Sequence, residues 1–254
     1  MKKIFNYILL IFVLTMPQLT QAQSFGFGCF GFVGGYAGYS YQKYQPGYLN
    51  DQIIGFNNAL SDGSVKIISE FGTSHGYRLG INFFRARFSG FFFSLKGYYE
   101  LLEENQSFSY DNFSSVIKSE LNLDLKSWNV GLDFGIPITN RLQWKILDGS
   151  IQFNSARLTY KPDLDDNTKD IKFLNDSPEL GYTIATGFIV TILENFISLE
   201  GSAGYRFLKI KKIATEDGEP FLLRPENSRT LEENVFINDG GFHAALQINI
   251  GFPL

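Results

Sequence analysis

Phe242, Ala244, Leu246, Ile248, Ile250 and Phe252 place an apolar residue at every second position of the closing stretch, with His243, Ala245, Gln247, Asn249 and Gly251 between them. A period of two is the mark of a strand. Seven earlier segments repeat it. The first is the Gly- and Tyr-rich run from Gly28 to Tyr44, and the second sets Tyr77, Leu79, Ile81 and Phe83 against Arg78, Gly80 and Asn82. The third sets Phe91, Phe93, Leu95, Tyr99 and Leu101 against Ser94, Lys96, Tyr98 and Glu100. The fourth sets Trp128, Val130, Leu132, Phe134 and Ile136 against Asn129, Gly131, Asp133 and Gly135. The fifth, Leu142 to Tyr160, changes phase around Asp148 and Gly149, as a bulge makes a strand do. The sixth carries Leu180, Tyr182, Ile184, Phe188, Val190 and Ile192, and the seventh Ile197, Leu199, Ala203, Tyr205 and Phe207. No helix of about ten residues is expected between them, which excludes an α/β plan.

The links discriminate between a sandwich and a barrel. Arg87 to Gly90, Pro137 to Arg141 and Leu193 to Asn195 are short, whereas Gln45 to Ser74, Leu102 to Ser119, Lys161 to Pro178 and Lys211 to Asp239 are long and polar. Short and long connections that alternate along the chain put all the tight turns at one end, the pattern of a membrane barrel. A soluble sandwich has no reason to sort its loops this way. The sequence therefore predicts an all-β fold, one closed antiparallel transmembrane β-barrel of eight strands. A ten-stranded version is the alternative, in which Ser64 to Gly72 and the Phe221-Leu222-Leu223 region each add a strand.

The amino terminus fits export. Lys2 and Lys3 precede a short apolar run from Ile8 to Leu14, and polar residues lead to a small Ala22, so residues 1–22 read as a signal peptide cut before Gln23. The barrel domain then covers residues 23–254. Losing the two lysines takes the formal charge from -4 to -6, which gives nucleic acid no basic face to bind. Cys29 is the single cysteine, so no disulfide framework holds the chain. Gly26-Phe27-Gly28 before it is a poor lipobox, and Cys29 reads as a buried or lipid-facing thiol.

A barrel of eight strands encloses only enough room for side chains. Strand parity places Arg78, Lys96, Arg157 and Arg206 in that space with Glu100, Asp133 and Glu200, as a lumen charge network in which opposite signs neutralise each other. Tyr41, Tyr44, Trp128, Trp144 and Tyr160 are expected in interface girdles. Ile53, Ile54, Phe56, Phe221 and Leu222 are apolar residues on long loops and are expected as contacts for a protein partner.

This alternating tail, its terminal aromatic and the parity of the loops resemble the small eight-stranded outer-membrane barrels of Gram-negative bacteria, the OmpA and OmpX type, and especially the barrel-domain proteins of the Bacteroidetes. Members typically end in an aromatic residue, and here Pro253 and Leu254 follow Phe252. The resemblance implies a place in the outer membrane among lipid and lipopolysaccharide, with other outer-membrane proteins as partners and no cofactor. The function it favours is non-enzymatic, a structural or protein-binding component acting through extracellular loops. Two alternatives accompany it. One is a lipid-modifying hydrolase using His75 and His243 at the rim, with Glu70 and Ser74 as helpers. The other is a small-solute channel.

No metal site is expected. Asp163, Asp165 and Asn167 open like a calcium loop, but Thr168 stands where Gly is required and Leu174 where the acidic ligand belongs, so the segment reads as a solvated acidic loop. The glycines between Gly26 and Gly38 precede neither a helix nor a Gly-Lys-Ser/Thr element, and they relieve crowding in a strand.

Overall fold

The computed structural model describes residues 23–24, 34–59, 68–88, 90–112, 115–162, 169–194, 196–223 and 235–251. The expected signal peptide, Cys29, the Asp163 to Thr168 stretch and Phe252 to Leu254 lie outside the described residues. Eight long strands form the wall: β2 (Gly34–Lys43), β3 (Thr73–Arg87), β4 (Phe92–Asn112), β5 (Ser115–Pro137), β6 (Leu142–Lys161), β8 (Glu179–Leu193), β9 (Ile197–Phe207) and β10 (Gly241–Gly251). Each pairs antiparallel with its neighbour, and β10 pairs with both β9 and β2, so the sheet closes. Closure leaves the wall without a free edge where it meets its surroundings.

Two short strands are additions to this ring. β1 (Gln23–Ser24) pairs with the end of β3, and β7 (Ile171–Leu174) pairs with the upper part of β6. Ile68 to Gly72 and Phe221 to Leu223 are not strands, so neither extra strand of the ten-stranded alternative forms from its described residues.

Two expectations about the connections need correction. The first long link contains a helix, α1 (Gly47–Ala59). Leu49, Ile53 and Phe56 recur there at helical spacing, and this stripe supplies the apolar face that the helix buries. The second is no loop. β4 and β5 stay paired to Asn112 and Ser115, and Leu102 to Ser119 is strand throughout its described part.

The same strands exchange their apolar face at one level. On β5, Trp128, Val130, Leu132 and Phe134 point outward and are exposed, Trp128 at 67%, while Ser127, Asn129 and Asp133 point inward. Farther up, Leu121, Leu123 and Leu125 point inward and are buried. Neighbouring strands switch at the same height, from Ile151 and Phe153 outward to Ala156 and Leu158 inward on β6, and from Tyr205 outward to Leu208 and Ile210 inward just beyond β9. Below that level the barrel is apolar outside and polar inside. Above it the arrangement is that of a water-soluble domain.

The phase change in β6 is a bulge. Register slips between Lys145 and Asp148, immediately before the expected place, so Ile146 and Leu147 both face out. On the outer face Thr186 donates to the Lys145 carbonyl at 2.7 Å and accepts from Trp144 Nε1 at 3.0 Å. The Thr186 hydroxyl thus ties β8 to the bulged part of β6.

Candidate functional site

The lumen is filled by ionised side chains that strand parity points inward. Lys96 on β4 lies 2.8 Å from Asp133 on β5 and 2.7 Å from Asp148 on β6. Lys145 lies 2.6 Å from Asp148 and 3.5 Å from Asp133, and it also pairs with Glu200 on β9. Asn249 on β10 donates to Glu200 at 3.2 Å. Gly131 makes this packing possible, because a Cβ there would stand 2.9 Å from Lys96 Cε.

One layer higher, Arg206 on β9 pairs with Glu100 on β4, and His243 Nε2 lies 3.3 Å from the other Glu100 oxygen. Arg78 sits with its guanidinium 4.1 Å from the centre of the Tyr98 ring, a cation–π contact. Tyr98 in turn hydrogen-bonds Ser150 at 3.1 Å. The cations Arg78, Lys96, Lys145 and Arg206 are thus matched in number by the carboxylates Glu100, Asp133, Asp148 and Glu200, all of them buried. Burial on this scale requires such matching, since an isolated ion in a low dielectric is prohibitively costly.

Six of the seven expected network residues converge here, namely Arg78, Lys96, Glu100, Asp133, Glu200 and Arg206. Arg157 does not. It lies above the level of exchange on the outer face of β6, opposite Asp124, because the bulge had already reset the parity. The same bulge hid two members, Lys145 and Asp148, whose acidic and basic groups straddle it at a three-residue separation. His243 also belongs to the network, through Glu100.

A second core roofs this lumen. Leu49, Ile53, Ile68, Phe71, Leu102, Phe108, Leu121, Leu123, Leu158, Phe173, Ile210, Phe221 and Phe236 belong to one buried apolar cluster at the long-loop end. Two asparagines clamp α1 to the segment leading into β3. Asn50 exchanges hydrogen bonds with the backbone of Phe71, both 2.9 Å, and Asn57 does so with Ile68 at 2.8 and 3.1 Å. The spacing fits, since seven helical residues rise about 10 Å, as do three extended ones. Glu104 fastens the same loop to the wall, accepting from Tyr44 Oη at 2.6 Å, Thr73 N at 2.8 Å and Gly72 N at 3.1 Å. Burial and the adjacent carboxylate push the Tyr44 phenol well above its ordinary value.

The roof revises the expected partner contacts. Ile53 (0% exposed) and Phe221 (2%) are interior, Phe56 packs partly against them, and Leu222 is half-buried. Ile54 alone of the five is exposed, at 42%. Apolar residues on these loops mark a core, because the loops fold on one another. Tyr44 and Tyr160 likewise leave the expected girdle for the roof, Tyr160 stacking on Phe108 at 6.4 Å, whereas Tyr41, Trp128 and Trp144 face outward.

The rim hydrolase does not assemble. His75 faces outward beside Tyr39, its ring 6.0 Å away, while His243 is buried in the lumen. Ser74 points inward and Glu70 is exposed, so the four groups reach no common point. Among the described residues no group of His, Cys, Asp and Glu could hold a metal ion.

No described protein family matches the chain, and neither does any curated protein sequence. Among solved structures the fold is similar to Ail, the attachment invasion locus protein of Yersinia pestis, with a TM-score of 0.39 and 8% identity, covering 87% of this chain and 98% of that one. It is also similar to Neisserial surface protein A, with a TM-score of 0.42 and 11% identity, covering 87% of this chain and 99% of that one.

Proposed function

We propose that this chain is a non-enzymatic outer-membrane β-barrel that acts through its roof, as a structural or protein-binding component presented at the cell surface. The observation that carries this is the exchange of faces. Lipid offers a backbone no hydrogen bonds, so a wall inside a bilayer must be closed, apolar outside and internally satisfied. Above the bilayer water returns and the apolar face turns inward again. Here both regimes occur on the same strands, divided at the level of Tyr99, Trp128, Phe153 and Tyr205, where aromatic residues suit the interface. The long-loop end is then the extracellular one. The outer belt contacts outer-membrane lipid and lipopolysaccharide, and other membrane proteins are candidate neighbours.

The channel reading is disfavoured by the lumen itself. Lys96, Lys145, Glu100 and Asp133 are all buried in its interior, so water does not flood the space around them. The hydrolase reading lacks a converged set of groups.

The test is topological. Ile54→Cys on α1 and Asn140→Cys at a short turn are to be labelled with a membrane-impermeant maleimide in intact cells. The proposal expects labelling at position 54 in intact cells and at position 140 only after lysis. Labelling at 140 alone in intact cells inverts it.

A further inference from the structure

The charges of the lumen match in number but not in contact. In the lower layer Lys96 and Lys145 meet three carboxylates, those of Asp133, Asp148 and Glu200. The upper layer has the opposite imbalance, with Arg78 and Arg206 facing Glu100 alone. Glu100 stands directly opposite Arg78 in the β3–β4 register, yet its carboxylate reaches across the lumen to Arg206 and His243. Arg78, 4% exposed, is left against the face of Tyr98, with no carboxylate at salt-bridge distance among the described residues. Its Nε–H is buried without a hydrogen-bond partner, and so is that of Arg206.

We propose that the upper lumen takes up one small monoanion of halide size, held by the Arg78 guanidinium with Arg206 beside it. The sign follows from the chemistry of arginine. A guanidinium has only donors and does not shed its proton, so a buried one cannot neutralise itself as a lysine or a carboxylate does. The ring of Tyr98 answers the flat face of the cation, but the N–H groups lie at its edge and call for an acceptor. The obvious acceptor, Glu100, is engaged elsewhere.

Charge and size follow from the same layer. A monovalent ion offsets its surplus of one cation, whereas a divalent ion overshoots. Leu102 and the apolar roof close the layer from above, so the guest is small. On the rows of β2 and β3 above Arg78, the hydroxyls of Ser40 and Ser74 are also buried and unpartnered, and each has a proton to donate. Gln42 Oε1 and His243 Nδ1 are unpartnered too, and as acceptors they suit those hydroxyls. The two guanidinium groups therefore set the sign of the site.

The experiment is equilibrium dialysis of the full-length protein in lipid nanodiscs against radiolabelled chloride, with gluconate holding the ionic strength constant and empty nanodiscs as the blank. Expected is a saturable uptake of one chloride per chain, displaced by bromide and not by sulfate. Arg78→Gln, with insertion verified by heat-modifiable migration, should weaken uptake about tenfold or more, the loss that goes with a hydrogen bond to a charged group. Ser40→Ala combined with Ser74→Ala keeps every charge, and it tests the same layer if the arginine variant does not insert; uptake should weaken severalfold. No uptake above the blank at about 0.1 M chloride overturns the site and assigns these donors to water. Undiminished uptake in the inserted Arg78→Gln protein overturns it as well, as does unchanged uptake in the double serine variant or displacement by sulfate as effective as that by bromide.

Discussion

Arg206 on β9 pairs with Glu100 on β4, and these two strands stand four places apart in either direction around the eight-stranded ring, the greatest separation the wall permits. The pair is therefore a strut across the lumen, and it links an early strand to a late one. Removing one member leaves the other buried and charged, a change that costs about 3 to 5 kcal/mol. Glu100→Ala and Arg206→Ala should each show a loss of that order in reversible urea unfolding from lipid vesicles. The double mutant should lose less than the sum of the two, because contacting groups are coupled. Strict additivity with single losses below about 0.5 kcal/mol is what an exposed, hydrated pair would give.

The bulge in β6 makes a second claim measurable. Thr186 holds the Lys145 carbonyl and the Trp144 indole on the outer face. Thr186→Val preserves shape and removes the hydroxyl, taking from the Lys145 carbonyl and the Trp144 indole hydrogen bonds that lipid cannot replace. A loss of about 1 to 3 kcal/mol is expected, with Thr186→Ser recovering most of it. Unchanged unfolding of the valine variant would mean that the bulge is hydrated.

Most of the barrel was legible in the sequence, and the physical reason is the bilayer. Val130, Leu132 and Phe134 must meet lipid while Asn129, Gly131 and Asp133 meet the lumen, so the alternation is nearly free of exceptions there. It failed where that constraint ends. Leu121, Leu123 and Leu125 alternate as well, but with the apolar side inward, so a reading tuned to outward apolar residues began this strand only at Trp128 and took Leu102 to Ser119 for a loop. The α1 stripe of Leu49, Ile53 and Phe56 was visible but sits in a polar setting, and its burial depends on partners from Phe71 to Phe236 that are remote in sequence. At the lumen, parity found six charges. It lost Lys145 and Asp148, because a two-residue bulge between them moves one across the phase boundary.

The clamps on α1 predict how the roof opens. Asn57 satisfies both backbone groups of the buried Ile68. Asn57→Ala strands them, at a cost of about 1 to 3 kcal/mol. That cost should fall on the roof and not on the wall. Limited proteolysis of the inserted protein should cut faster between α1 and β3, while heat modifiability on gels is unchanged. Equal protease resistance in mutant and parent counts against the clamp.

Tyr44 gives the roof an alkaline limit. Its phenol is raised in the folded state, by burial first and by Glu104 second, so folding favours the protonated form. The stabilisation is complete below the unfolded value near 10, and it is lost as pH rises toward the folded value. Amide exchange at Gly72 and Thr73, corrected for the intrinsic rate, should accelerate above about pH 10. Tyr44→Phe keeps the ring and removes the titrating group, and it should abolish that pH dependence. A dependence retained by the phenylalanine variant would assign it to another residue.

The central claim is that this barrel anchors a surface roof and does not conduct, because its lumen is filled by four cations and four carboxylates in mutual contact or stacked on tyrosine. The most direct measurement is single-channel recording on planar bilayers, using protein whose insertion has been verified by heat-modifiable migration and a β-dominated circular dichroism spectrum. The account predicts a silent membrane with the parent chain. Stable, reproducible conductance steps from verified, inserted parent protein would contradict it.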